Sequence, residues 1–288
     1  MSLPIKKLYL DSRYRRHDSP STSNCKFELK QAIHLPLNCI AYIDDIQIPH
    51  TWFNVSSTSN KLYVRIANII TGGHQATTSS DQIITMDPKN YTLALLAAEL
   101  NTKLQSAYTS NTVACVANER RGTVSISVLS GKAIRIFSDE ELRSELPGIP
   151  GGWMGNTTIN YTNPETANDM LGITGVTTYT DAPNVFETGF VNLRPVHNIY
   201  VTSPNLGSFD TLGPRGEQNI IKKVPVSSDW GYVVFDSVVS EHDYIDVSKG
   251  YFKTIELVLR DARGNVIELN NGHWSLSIVF SMRKEQEI

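Results

Sequence analysis

Between Phe252 and Met282 the chain repeats with a period of two, punctuated by glycine and asparagine, and this constrains the fold more than any other feature. Phe252-Lys253-Thr254-Ile255-Glu256-Leu257-Val258-Leu259-Arg260 runs into the turn Asp261-Ala262-Arg263-Gly264-Asn265. Val266-Ile267-Glu268-Leu269, the turn Asn270-Asn271-Gly272 and Ser275-Leu276-Ser277-Ile278-Val279-Phe280-Ser281-Met282 follow. Side chains that alternate along an extended backbone face core and solvent in turn, so this pattern predicts half-buried antiparallel strands, here the two strands of a tight ladder. Nothing on them is chemically reactive, which points to shape as the product.

The same alternation recurs upstream. Lys26-Phe27-Glu28-Leu29-Lys30 directs Phe27 and Leu29 inward. Cys39 to Ile48 reads as a longer strand that Pro49 stops, since proline cannot donate to a ladder. Lys61–Ile66 places Leu62, Val64 and Ile66 on one face, and Asp81–Met86 makes another short strand. Later strands are expected at 198–202, 220–226, 232–239 and 244–247.

A different period holds between these two β regions. After Thr92, a natural N-cap, Leu93, Leu96, Leu100 and Leu104 fall on one helical face among alanines. Two strand-like runs, 113–117 and 123–129, follow. Ser138-Asp139-Glu140-Glu141 is a capping-box pattern that opens a short helix ending before Pro147-Gly148. A further helical turn begins near Asn163-Pro164-Glu165 and ends at Leu171-Gly172. The expected organisation is an N-terminal arm over 1–24, irregular until bound, a β domain over 25–86 plus 183–288, and an α+β insertion over 87–182. Eight to ten strands suit a single jelly roll, a mainly β antiparallel β-sandwich, although a sandwich joined in sequence order would carry the same count.

Composition narrows the partners. Of 288 residues, 40% are hydrophobic and only 19% charged, against about a quarter in ordinary soluble proteins. A low charge share suits a protein that buries much of its outside against neighbours, although an ordinary β protein could show the same share. The net charge of -3 argues against a dedicated nucleic-acid binder. Cys25, Cys39 and Cys115 form neither a disulfide framework nor a zinc pattern, so reduced thiols are expected. The start, Met1 to Lys7, lacks the apolar run of a signal peptide, and no stretch has the roughly 18 apolar residues of a membrane span.

Catalytic and cofactor motifs are missing. There is no nucleophile elbow, zincin helix, phosphate loop or dinucleotide fingerprint. Gly213-Pro214-Arg215-Gly216-Glu217 lacks the Lys-Ser/Thr pair of a phosphate cradle and reads as a surface loop. Asp44 and Asp45 adjoin on a strand, so their carboxylates should point to opposite faces and share neither proton nor metal. His242-Asp243 beside Glu241 reads as a charged turn. No pair of carboxylates suggests the spacing of about 5–10 Å that a glycosidase uses. The expectation is no enzyme, no cofactor and no metal. Two features remain as candidate contacts, beside the plainer readings of a solvated arm and of aromatics that cap the ends of a β-sandwich. Arg13, Arg15 and Arg16 could meet an assembly neighbour or packaged nucleic acid, since basic side chains neutralise phosphates without sequence preference. Trp153, in a glycine-rich loop, is the candidate for an exposed receptor contact, and a carbohydrate- or receptor-binding module using the insertion loops is the alternative function.

Four phrases in one order carry a resemblance. They are Leu8-Tyr9-Leu10-Asp11-Ser12-Arg13 with Ser21-Thr22-Ser23-Asn24 and then a Phe27-x-Leu29 strand; Ile46-x-Ile48-Pro49-x-Thr51-Trp52-Phe53-Asn54-Val55; Asn90-Tyr91-Thr92 with Leu96, Leu100, Asn101 and the later Leu171-Gly172; and Leu257-x-Leu259-Arg260-Asp261-x-x-Gly264-Asn265 with Asn271-Gly272. Together they resemble the penton, or minor capsid, proteins of virophages and Polinton-type elements. The resemblance implies a single jelly roll with an inserted domain, assembled as a homopentamer at the five-fold vertices of an icosahedral virion. It also implies contact with major capsid protein capsomers, assembly in the host cytoplasm and no catalytic residues. Packaged genome, through the arm, and a host receptor are the further partners expected.

Overall fold

The computed structural model describes residues 6–68, 79–108, 113–143, 165–175, 177, 184–206 and 211–283. Three strands come first: β1 (Lys7–Asp11), β2 (Asn24–His34) and β3 (Cys39–Pro49). Next are β4 (Lys61–Asn68), β5 (Ser79–Thr85), α1 (Leu93–Tyr108), β6 (Val113–Asn118), β7 (Thr123–Val128), β8 (Lys132–Ile136), α2 (Asp139–Arg143), α3 (Asn168–Leu171) and β9 (Val185–Glu187). The chain closes with β10 (Asn198–Thr202), β11 (Ile220–Pro225), β12 (Val233–Asp236), β13 (Ile245–Asp246), β14 (Tyr251–Arg260) and β15 (Ser275–Met282).

Two compact units emerge, Met1–Trp52 with Val196–Ile288, and Phe53–Pro195. The boundaries expected near 86 and 182 move to 52 and 195. β4 and β5 pair with each other and with β8, so they belong to the insertion. Alternation reveals that a strand is half-buried but not which sheet buries it, so the sequence alone groups 53–86 with the flanking domain.

The first unit is a jelly roll. Its two sheets run β1-β15-β3-β12, with β13 added on β3, and β11-β10-β14-β2. Without β13, the first strand pairs with the last, the second with the last but one, the third with the sixth and the fourth with the fifth. This nested pairing is one long hairpin rolled into a sandwich, and all pairs are antiparallel. The insertion interrupts it between its third and fourth strands. Inward residues of both sheets, among them Phe27, Ile43, Ile46, Val201, Leu257, Ile278 and Phe280, share one core.

Two expectations fail here. β14 and β15 do not form a ladder with each other: β14 joins β2 and β10, and β15 joins β1 and β3. Between them, Val266 makes only an isolated bridge to Arg260, although Ile267 and Leu269 are buried. Among the described residues of the arm, one stretch is regular without any partner molecule. Lys7-Leu8-Tyr9-Leu10-Asp11 forms the edge strand on β15. Past it, the Trp274 amide donates to Ser12 Oγ (2.9 Å) and the Trp274 indole N–H to the Thr22 carbonyl (2.6 Å). The polar, turn-rich composition hid a five-residue strand with one buried leucine, Leu10.

The second unit carries two three-stranded antiparallel sheets, β5-β4-β8 and β6-β7-β9. Leu96, Leu100 and Leu104 of α1 are fully buried with Leu62, Val64, Val124, Ile126 and Ile136. The Leu95 amide donates to Thr92 Oγ1 at 3.3 Å, the expected cap. Ser138 and Glu141 satisfy each other's amides at 2.8 and 3.2 Å, the expected capping box. Gly172 ends α3 in the left-handed region (φ 62°), and a Cβ there would meet the Gly189 backbone at 3.0 Å.

Candidate functional site

The three arginines predicted as contacts lie in and just after the turn that follows β1, and each has a partner within the chain. Arg13 grips the Asp11 carboxylate through Nε (3.0 and 3.1 Å) and Nη2 (2.6 Å). This pairing, with the Arg13 amide also donating to Asp11, holds the Asp11 carboxyl below its ordinary value against partial burial. Arg15 donates to the Ser12 carbonyl at 3.0 Å. Arg16 donates to Asp18 at 2.9 Å and stands 3.7 Å from Glu28. Trp153, the other predicted contact, lies outside the described residues.

The remaining motifs take structural roles. The Gly213–Glu217 stretch is a closed turn: the Gly213 amide donates to the Glu217 carbonyl, the Arg215 amide to the Glu217 carboxylate, and the Arg215 guanidinium to the Arg263 carbonyl. Glu241–Asp243 is a short 3₁₀ turn in which Asp243 accepts from the Ser240 amide. Asp44 and Asp45 depart from expectation. Ser277 opposes Asp45 while Ile278 opposes Ile43, so Asp44 is the extra residue of a β-bulge. The strict alternation lapses there, and both carboxylates approach the Lys7 ammonium, at 2.5 and 3.7 Å. Among the described residues no group of three or more His, Cys, Asp or Glu side chains is placed to hold a metal ion. No helix there is long and apolar enough to cross a membrane.

Two buried ion pairs share the second face of β4 and β8, where Arg65 and Arg135 are register partners. Arg65 and Asp81 pair at 2.5 and 2.6 Å, with side chains only 3% and 7% exposed. Arg135 and Glu141 pair at 2.6 Å. Both guanidiniums lie over the Phe137 ring, 5.0 and 4.6 Å from its centre. Burial pushes the Glu141 carboxyl up, but the Ser138 amide, Arg135 and Thr177 outweigh it and leave the pKa lowered. Each of these carboxylates is tied to a cation, which suits a brace better than a proton-transfer centre.

What the first unit offers instead is surface. β12 is an edge strand whose Val234 is fully buried while Val233 and Phe235 are each 55% exposed. Trp230 and Tyr232 precede them and Val238 follows, all exposed. The turn that bears Trp230 is fastened to His50. The His50 amide donates to the Tyr232 carbonyl, the Gly231 amide to the His50 carbonyl, and His50 Nδ1 lies 2.8 Å from the Ser228 carbonyl. The strand's far end is fastened by Lys222, itself buried, whose ammonium donates to the Val238 carbonyl at 2.5 Å and lies 3.9 Å from Asp236. The apolar strip is therefore rigidly presented. Sequence reasoning missed it, although Tyr232-Val233-Val234-Phe235 is apolar at successive positions, the sign of a strand with two apolar faces.

No protein-family model matches the sequence, and no curated protein does. Among solved structures, the crystal structure of selenomethionine-labelled mavirus penton protein is similar, with a TM-score of 0.52. The match covers 96% of this chain and 98% of that one, at 10% sequence identity. At that identity the likeness is one of fold.

Proposed function

We propose that this protein is a structural capsid protein, a penton that assembles as a homopentamer at the five-fold vertices of an icosahedral virion. The observation that carries the reading is the nested jelly-roll pairing, interrupted between its third and fourth strands, in a fold similar to a viral penton protein over nearly its whole length. A jelly roll shares one core between two sheets, so it acts as a stiff wedge. Wedges meeting head to tail close into a ring when the rotation between them divides a circle. Permanent interfaces of that kind bury on the order of 2,000 Å² or more and are relatively apolar. The low charge share and the exposed strip around β12 agree with this.

In this reading the protein works without catalysis. Its partners are its own copies and the major capsid protein capsomers around the vertex, with the virion, assembled in the host cytoplasm, as its location. Arg13 and Arg16 already neutralise carboxylates of their own chain, so we assign the arginine turn to assembly and not to packaged genome. Electron microscopy of the purified protein tests the proposal. Class averages with five-fold symmetry are expected, and a particle without rotational symmetry would refute it.

A further inference from the structure

The four sheet edges of the jelly roll are not treated alike. In the second sheet, the β11 edge carries exposed Lys223 and Pro225, and the β2 edge carries exposed Glu28, Lys30 and Gln31. Charges and proline on an edge prevent strand-to-strand association. The first sheet lacks that protection at β12, where Trp230, Tyr232, Val233, Phe235 and Val238 are exposed. Its opposite edge, β1, exposes Tyr9 (75%) and is followed by Tyr14 (82%). Each edge leaves one side of its ladder without a strand partner among the described residues.

The two edges also differ in sign. Between Lys6 and Asp18 stand five basic and two acidic residues. Between Asp229 and Asp246 stand five acidic residues and no lysine or arginine. Asp44 draws off Lys7, Glu28 stands 3.7 Å from Arg16, Lys222 draws off Asp236, and Arg283 favours the Asp246 carboxylate. The remainder still favours contact of one edge with the other over contact of either with itself.

We infer that the β12 edge of one copy docks on the β1 edge of the next, and that this contact joins the ring. The inference rests on the proposed penton function and names the surface through which it would operate. Opposite edges of one sheet make a heterologous contact, which propagates from copy to copy until it closes. The apolar side chains hold the contact, and the flanking charges set its direction.

The test uses the full-length chain with Tyr9→Glu or Phe235→Glu, both at exposed positions, and Leu95→Glu on the exposed side of α1 as control. Sedimentation of the unmodified protein comes first. If it is not a ring, the penton reading falls and this inference with it. If it is a ring, Leu95→Glu should leave it intact, while each edge variant alone should sediment as a monomer. Each variant keeps the edge that the other has lost, so an equimolar mixture should form a one-to-one dimer and stop there. Edge variants that still form rings, or a mixture that shows no dimer, would overturn the edge assignment while leaving the penton reading standing. Should Phe235→Glu lower the unfolding temperature, Val238→Glu, 74% exposed beyond the strand, takes its place.

Discussion

Lys7 reaches over β15 to set its ammonium 2.5 Å from the Asp44 carboxylate of β3, two strands away. The pair is possible because the bulge at Asp44 breaks the alternation of β3. It fixes the outermost strand of the first sheet from the solvent side, next to exposed Tyr9. Hydrogen bonding to Asp44 raises the Lys7 pKa, opposed by desolvation.

Replacing Lys7 by methionine should lower the unfolding temperature slightly, since it takes the ammonium away from both Asp44 and Asp45. Because the pair is partly exposed, salt near 1 M should shrink the difference between variant and parent. Differential scanning calorimetry at low and high salt checks both statements. A loss that is unchanged by salt would mean that the side chain acts by packing alone.

The buried pair in the insertion should respond far more strongly. Arg65→Met alone takes the guanidinium away from Asp81, whose side chain is only 7% exposed, and breaking a buried pair costs about 3–5 kcal/mol. Asp81→Leu in the same chain should restore most of that loss, since two apolar groups need no partner. Urea unfolding of the single and double variants measures the difference. A double variant no more stable than Arg65→Met would argue against the pairing.

The Glu141 carboxyl predicts a direction with pH. Its folded pKa lies below the ordinary 4.5. A depressed acid stabilises the fold fully at pH values above the unfolded pKa, and that contribution disappears as pH falls through the folded value. Stability of the parent should therefore decline below about pH 4.5, and Glu141→Gln should flatten that decline. Unfolding midpoints across the acid range report it, and equal slopes in both proteins would contradict it.

The thiols should be inert in the folded chain. Burial pushes Cys25 up to about 11 and Cys115 up to about 12, and it raises Cys39 as well. At pH 8 a thiol with pKa 11 is thiolate in about one part per thousand. Alkylation at that pH should be slow in the native protein and complete for all three cysteines in denaturant, as mass spectrometry will show. Fast labelling of Cys25 in the native state would mean that its strand opens readily.

Much of the fold was legible in the sequence, because burial on one face leaves a period of two and an amphipathic helix a period of 3.6. Phe27 and Leu29, Leu62, Val64 and Ile66, and Leu96, Leu100 and Leu104 are all buried as their spacing predicts. Strand partners were not legible. Nothing local to Lys61–Asn68 says that it pairs with Lys132–Ile136 instead of a strand of the sandwich. The Asp44 bulge was hidden for the same reason, since a bulge is a property of two strands together. Of the contact residues, the arginine turn was visible by composition, but its intramolecular partners Asp11 and Asp18 became apparent only in space. The strip around Phe235 was written in the sequence as an unbroken apolar run, yet it takes the strand order to make β12 an edge.

The account stands or falls on assembly by shape, and the mass of the purified chain in solution tests that most directly. Light scattering across a range of concentrations should find a species of five times 32.1 kDa, about 160 kDa, in exchange with monomer alone, because a head-to-tail ring closes at a fixed number of copies. A protein that stays at 32.1 kDa at every concentration, or that stops at a two-fold dimer, would contradict it.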